Sequence, residues 1–74
     1  MATIVTDKYI ENDVKVIELD SWSTLVIDVI RESIEIVNKF NADIGKISIN
    51  GVDLKIKNDD LIEDVYANYR VLVN

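Results

Sequence analysis

Cysteine, histidine and proline are all missing from this 74-residue chain, and glycine occurs only twice. Without cysteine there is no disulfide and no zinc–thiolate site. Without histidine there is no imidazole base, so the usual nucleophilic triads are excluded. No stretch approaches the roughly 20 apolar residues of a membrane-spanning helix. Met1 to Lys8 lacks the basic start and apolar run of a signal peptide, and neither end carries a lipidation motif. These absences imply a single domain over residues 1–74, cytoplasmic in location, with no membrane partner and no cofactor or metal.

What is present is packing material and negative charge. Hydrophobic residues make up 49% of the chain, which suits a filled core in a domain too short to bury much surface. The formal net charge is −6. A polyanion repels phosphate backbones, so no direct nucleic-acid binding is expected. A basic protein surface is the natural partner, because attraction steers over a Debye length of about 8–10 Å. The abundance of Ile, Lys and Asn suggests an AT-rich coding genome, bacterial or viral.

Thr3 to Ile10 is rich in β-branched and aromatic residues and reads as a strand. Its alternation is imperfect, with Val5 and Tyr9 on one side and Ile4 and Ile10 on the other. Glu11-Asn12-Asp13 supplies turn chemistry before a second strand, Val14 to Leu19. Asp20 and Ser21 are candidate caps for a helix from Trp22 to about Asn41. Thr24, Asp28, Arg31, Glu32, Glu35, Asn38 and Lys39 form its polar stripe, with Glu35 and Lys39 spaced as an ion pair. The apolar arc is much wider than a core-facing helix needs, and it ends on the flank Ile27, Ile30 and Ile34. Trp22 projects onto the same line as Phe40, so both are expected in the core.

Asn41 suits a left-handed stop, and Gly45 a second permissive position. Asn50-Gly51 is the preferred pair for a two-residue type I′ hairpin. Its flanks agree: Ile47, Ile49, Val52, Leu54 and Ile56 fall on one face, and Ser48, Asp53, Lys55 and Lys57 on the other. Asn58-Asp59-Asp60 then opens a short helix through about Ala67, capped by Asn58. Tyr69 to Val73 reads as a last strand, with Tyr66 and Tyr69 half-buried beneath it.

The predicted class is α+β. The order hairpin, long helix, hairpin, short helix, last strand resembles the ubiquitin-like β-grasp family, a mixed sheet packed on one helix. Ile47-Ser48-Ile49-Asn50-Gly51-Val52-Asp53-Leu54 resembles that family's third strand, glycine turn and fourth strand. Leu61-Ile62-Glu63-Asp64-Val65-Tyr66 is similar to its small helical turn, and Val71-Leu72-Val73 to its last strand. The family's diglycine tail is replaced by Val73-Asn74, and Ser48 stands where its receptor patch is apolar. The resemblance therefore implies a fold and no activity.

Two surfaces are candidates for function. Asp59, Asp60, Glu63 and Asp64 are the densest acidic run; they suit a helix start, and as a site they would face a basic partner. Their spacing matches no calcium-binding loop. The flank Ile27, Ile30 and Ile34 either packs within the domain or forms an interface with a second copy or another protein. Ser21, Ser23 and Thr24 are explained by capping, and Asp28, Glu32 and Glu35 by a solvated helix face. The expected function is a non-enzymatic, acidic protein-binding module of inhibitor, immunity or antitoxin type, encoded by a virus or mobile element. The alternative is a self-assembling subunit, a homodimer at its simplest, that uses the apolar helix flank.

Overall fold

In the computed structural model, which describes residues 2–73, the chain forms β1 (Thr3–Glu11), β2 (Val14–Ser21), α1 (Val26–Lys39), β3 (Ile44–Ile49), β4 (Val52–Lys57) and α2 (Ile62–Val73). The four strands make one sheet in the order β1-β2-β3-β4. The outer pairs are antiparallel hairpins, and the central β2–β3 pair is parallel. A parallel pair needs a crossover, and α1 supplies it. The class is α+β with a mixed sheet, as expected.

The second hairpin forms as its turn chemistry requires. Asn50 and Gly51 have φ of 51° and 80°, both left-handed, and Ile49 pairs with Val52. Ile47, Ile49, Leu54 and Ile56 are buried and Val52 is half-buried, while Ser48, Asp53, Lys55 and Lys57 face water. The first hairpin makes the same kind of turn without glycine, with Asn12 at φ 52° and Asp13 at φ 65°. Short polar side chains tolerate that region.

The imperfect alternation of β1 has a local cause. The register slips between Val5 and Asp7, leaving Thr6 unpaired in a bulge. Val5 therefore shares the helix-covered face with its partner Leu19, while Tyr9 pairs with Val16 on the opposite face. The expectation that Val5 and Tyr9 share one side is corrected by that single extra residue.

Helix α1 starts four residues later than expected. β2 runs on to Ser21, which pairs with Thr3, and the Trp22 amide donates to the Ala2 carbonyl. Residues 22–25 must then climb from the sheet to the helix layer. Ser21 Oγ accepts from the Ser23 amide, and Ser23 Oγ from the Leu25 amide, both at 3.2 Å. Leu25 occupies the N-cap without a side-chain cap, so Asp20 and Ser21 do not cap the helix. Asn41 does adopt the left-handed stop, at φ 51°. The ion pair on the wet face is Arg31–Asp28, at 2.9 Å, and not Glu35–Lys39.

The expected last strand is the second half of a helix. Ile62, Val65, Tyr66 and Tyr69 recur at helical spacing, and no glycine or proline interrupts residues 62–73. Packing of this stripe on α1 and β4 outweighs the β preference of Val71 and Val73. Asn58 and Asp59 form a turn ahead of the helix. Within it the Lys57 amide donates to Asp60 Oδ2 at 2.8 Å, and the Asp60 amide to the Lys57 carbonyl at 3.2 Å. Among the described residues the fold thus has one four-stranded sheet and two helices, without the fifth strand of the expected β-grasp. Asn74 lies outside the described residues.

Gly45 lies inside β3, paired with Ile17 and Ile56, and serves close approach rather than a turn. A Cβ there would sit 2.5 Å from Val37 Cγ2 of α1 and 3.3 Å from Leu19 Cδ1. Gly45→Ala is expected to push α1 off the sheet and cost about 1–3 kcal/mol, read as a lower urea midpoint with an unchanged slope.

Candidate functional site

Chain direction sorts the surface into two ends. α1 runs from the end of β2 to the start of β3, antiparallel to both strands. α2 begins just beyond Lys57, which pairs with Ile44, and runs back until Tyr69 reaches the other hairpin turn. There Asn50 Nδ2 donates to the Tyr69 hydroxyl at 3.0 Å. The start of β3, the first hairpin turn, the end of α1 and the start of α2 therefore share one pole. The second hairpin turn, the start of α1 and the end of α2 share the other.

The acidic run falls at the first pole and gains company there. Asp59, Glu63 and Asp64 are exposed, and Asp60 is half-buried. Glu63 and Asp64 occupy the first turn of α2, where the helix dipole favours them. Asp60 is committed to the turn described above. The topology adds Glu11 and Asp13 from the first hairpin and Asp43 beside it. Asp43 Oδ2 accepts from the Lys15 amide at 2.8 Å. Seven of the chain's fourteen carboxylates thus lie around one end. Asp59, Glu63 and Asp64 have no side-chain hydrogen bond or ion pair among the described residues. Nor, among those residues, is any group of three or more placed to hold a metal ion.

The isoleucine flank is divided. Ile30 is fully buried, Ile34 is half-buried against the same core, and Ile27 is exposed. α2 packs along α1, so much of the arc that looked surplus in sequence covers a second helix. Ile27 sits near the start of α1, about 18 Å of helix rise from the acidic pole, so the two candidate surfaces do not form one site. Trp22 and Phe40 are both exposed, contrary to expectation, because they lie outside the helix on its two connections. Lys8 Nζ stands 5.5 Å over the Phe40 ring. Tyr69 is buried and Tyr66 half-buried, with their rings stacked at 6.4 Å.

Two polar networks escaped the sequence pattern. Glu32, assigned to the wet stripe, turns inward: its Oε1 accepts from the Thr3 hydroxyl at 2.7 Å and from the Ala2 amide at 3.1 Å. The Ser21 hydroxyl lies 2.9 Å from that of Thr3. Thr3 has one proton, which goes to the carboxylate, so Ser21 donates to Thr3. Thr3 itself is buried, and the group joins the start of β1 to α1. The Glu32 carboxylate takes both the Thr3 hydroxyl and the Ala2 amide, so the group acts as an anchor between strand and helix. Ser33, fully buried within α1, returns its hydroxyl proton to the Val29 carbonyl at 2.7 Å.

The second network lies on the sheet face without helices. Lys46 Nζ donates to the Tyr9 hydroxyl at 3.2 Å, which in turn donates to Glu18 Oε2 at 3.0 Å. The Tyr9 hydrogen bond, with Tyr9, Glu11 and Glu18 nearby, holds the Lys46 ammonium above its ordinary pKa. Tyr9 and Ile44 flank Val16 and leave it buried on an otherwise charged face.

Compared with known proteins, the chain matches no family model, no curated protein and no solved structure at a significant level.

Removing the Glu32 carboxylate leaves the Thr3 hydroxyl and Ala2 amide unpaired. Glu32→Ala is expected to cost about 1–3 kcal/mol in urea unfolding, whereas Glu35→Ala on the same helix stays within about 0.5 kcal/mol of the parent.

Proposed function

We propose that this protein is a non-enzymatic binding module whose acidic pole docks against a basic surface of another protein. The observation that carries this reading is the gathering of Glu11, Asp13, Asp43, Asp59, Asp60, Glu63 and Asp64 to one end of the fold from the first hairpin, the α1–β3 connection and the start of α2 with the turn before it. Glu11, Asp13, Asp59, Glu63 and Asp64 are exposed, with no side-chain hydrogen bond or ion pair among the described residues. Such a pole is built for steering and charge pairing across an interface. The set of side chains supports binding over catalysis, since the chain offers no histidine or cysteine. An inhibitor, immunity or antitoxin role in a bacterial or viral cytoplasm suits a small acidic protein of this kind. Among the described residues no helix is long and apolar enough to cross a membrane. The ubiquitin-like resemblance enters only as a shared hairpin–helix–hairpin order, a scaffold for presenting surface.

The test is capture from a lysate of the source cell at low and high salt. The bound protein is expected to be basic, and its affinity to fall at least tenfold between about 0.05 and 0.5 M salt. Asp59→Asn, Glu63→Gln and Asp64→Asn combined should abolish capture while costing only about 1–2 kcal/mol of stability, from the lost helix-start charges. Tight, salt-insensitive capture that survives the triple variant would reject the acidic pole as the site.

A further inference from the structure

The pole opposite the acidic one is rich in exposed apolar side chains, with Asp28 in the first turn of α1 and Arg70 in the last turn of α2 among its charges. Two of the longest uncharged runs in the chain, Ser21–Ile27 and Ile47–Val52, end there, joined by Val71–Val73. The inward stripes of both helices run past the body at this end. In α2 the buried positions Val65 and Tyr69 continue to Leu72 and Val73, yet these are 52% and 48% exposed. In α1 the buried Val29 and Ser33 lead back to Leu25 at the N-cap, and Trp22 stands on the connection before it; these two are 62% and 66% exposed. The core is open at its mouth.

We infer that this mouth is a self-association surface, through which two copies of the chain pair about a two-fold axis. Two features favour a second copy over a foreign partner. The exposed side chains Trp22, Leu25, Leu72 and Val73 carry no charge with which to recognise a basic or acidic protein, and seven of the fourteen carboxylates that would repel another copy are gathered at the far pole. The molecule is 33 Å long, so the acidic poles of a dimer joined at the mouth lie several Debye lengths apart. The four residues expose on the order of 500 Å², as large as the biggest patch on a typical monomer and over half of the roughly 800 Å² per partner in a standard interface. Uncharged neighbours such as Ser23 and Asn50 can supply a polar rim. An isologous contact also needs only one such surface per chain.

The inference is independent of the proposed function, and one experiment separates them. Light scattering on size-exclusion fractions and sedimentation across a concentration series give the mass. Emission from Trp22, the only tryptophan, reports burial of the surface. The expected result is a mass twice the 8.4 kDa of one chain, with blue-shifted emission as the dimer forms. Raising salt should leave the dimer intact. Trp22→Glu and Leu72→Lys should each weaken it at least tenfold while circular dichroism keeps the monomer's signature. Glu63→Gln with Asp64→Asn should leave it unchanged. A strict monomer at about 1 mM overturns the inference. So does a dimer that survives both apolar-surface variants, or one that dissociates as salt rises.

Discussion

The close contact between α1 and the sheet at Gly45 is the constraint on which the rest of the structure depends. Val37 occupies the space where a side chain on β3 would stand. This lets α1 lie close over the parallel β2–β3 pair, the one pair that no hairpin turn holds together. Ile17, Leu19, Ile47 and Ile56 then close against Val29, Ile30, Ile36 and Val37 as a single core. One helix does not cover four strands. α2 completes the cover over β4, and Val65 and Tyr69 join the core from that side. On the β1 side no third helix follows, and a groove lined by Val5, Ile36 and Phe40 remains.

The same arrangement separates charge from apolar surface. Both helices run antiparallel to their neighbouring strands, so each helix start lies at a strand end. The start of α2 falls where β4 ends in an Asp-rich turn, and its dipole stabilises the carboxylates there. The start of α1 falls where β2 ends in Ser21-Trp22-Ser23-Thr24-Leu25, with no charge at all. A sheet and two helices of this length do not bury both helix stripes to their ends: Leu25 at the start of α1 and Leu72 and Val73 at the end of α2 stay exposed at the pole opposite the acidic one. The bipolar surface is thus a consequence of connection order and local turn chemistry together.

What was legible in the sequence was whatever local chemistry decided by itself. Asn50-Gly51 allowed one turn and one register, and the alternation of Ile47 to Lys57 agreed with it. The two hairpins, the long helix and the α+β class followed. Tertiary packing decided the rest. Val71 and Val73 carry β preference, but the stripe Ile62, Val65, Tyr66, Tyr69 has helical period, and α1 offers a face for it. Trp22 looked like core because a helix was drawn through it; the extension of β2 to Ser21 removed that helical turn. Ile30 stood in sequence on a flank that either packed within the domain or formed an interface, and the structure buries it in the core. Glu32 looked solvated because no pattern in a single helix announces a buried threonine on a distant strand. Of the candidate site, the acidic run was visible as a run, but its reinforcement by Glu11, Asp13 and Asp43 required the topology.

The structure also restricts where association can occur. In a two-residue hairpin the pair next to the turn exchanges both hydrogen bonds, so alternate residues point their amides off the free edge. On β1 these include Lys8, whose amide donates to its neighbour Asp7 Oδ1 at 2.8 Å. The bulge at Thr6 interrupts the same edge. On β4 they include Lys57, whose amide is taken by Asp60. Both free edges of the sheet are therefore blunted by a carboxylate beside a lysine, a combination that discourages strand addition. The face without helices carries the Lys46–Tyr9–Glu18 network and a field of charged neighbours, and desolvating them against another sheet would be costly. With edges and open face defended in these ways, the ends of the molecule are left as the surfaces most open to contact. They differ in kind: one attracts through charge at a distance, the other through apolar area on touching. In a molecule whose longest extent is 33 Å, the proposed charge docking and the proposed apolar pairing would therefore use separate surfaces.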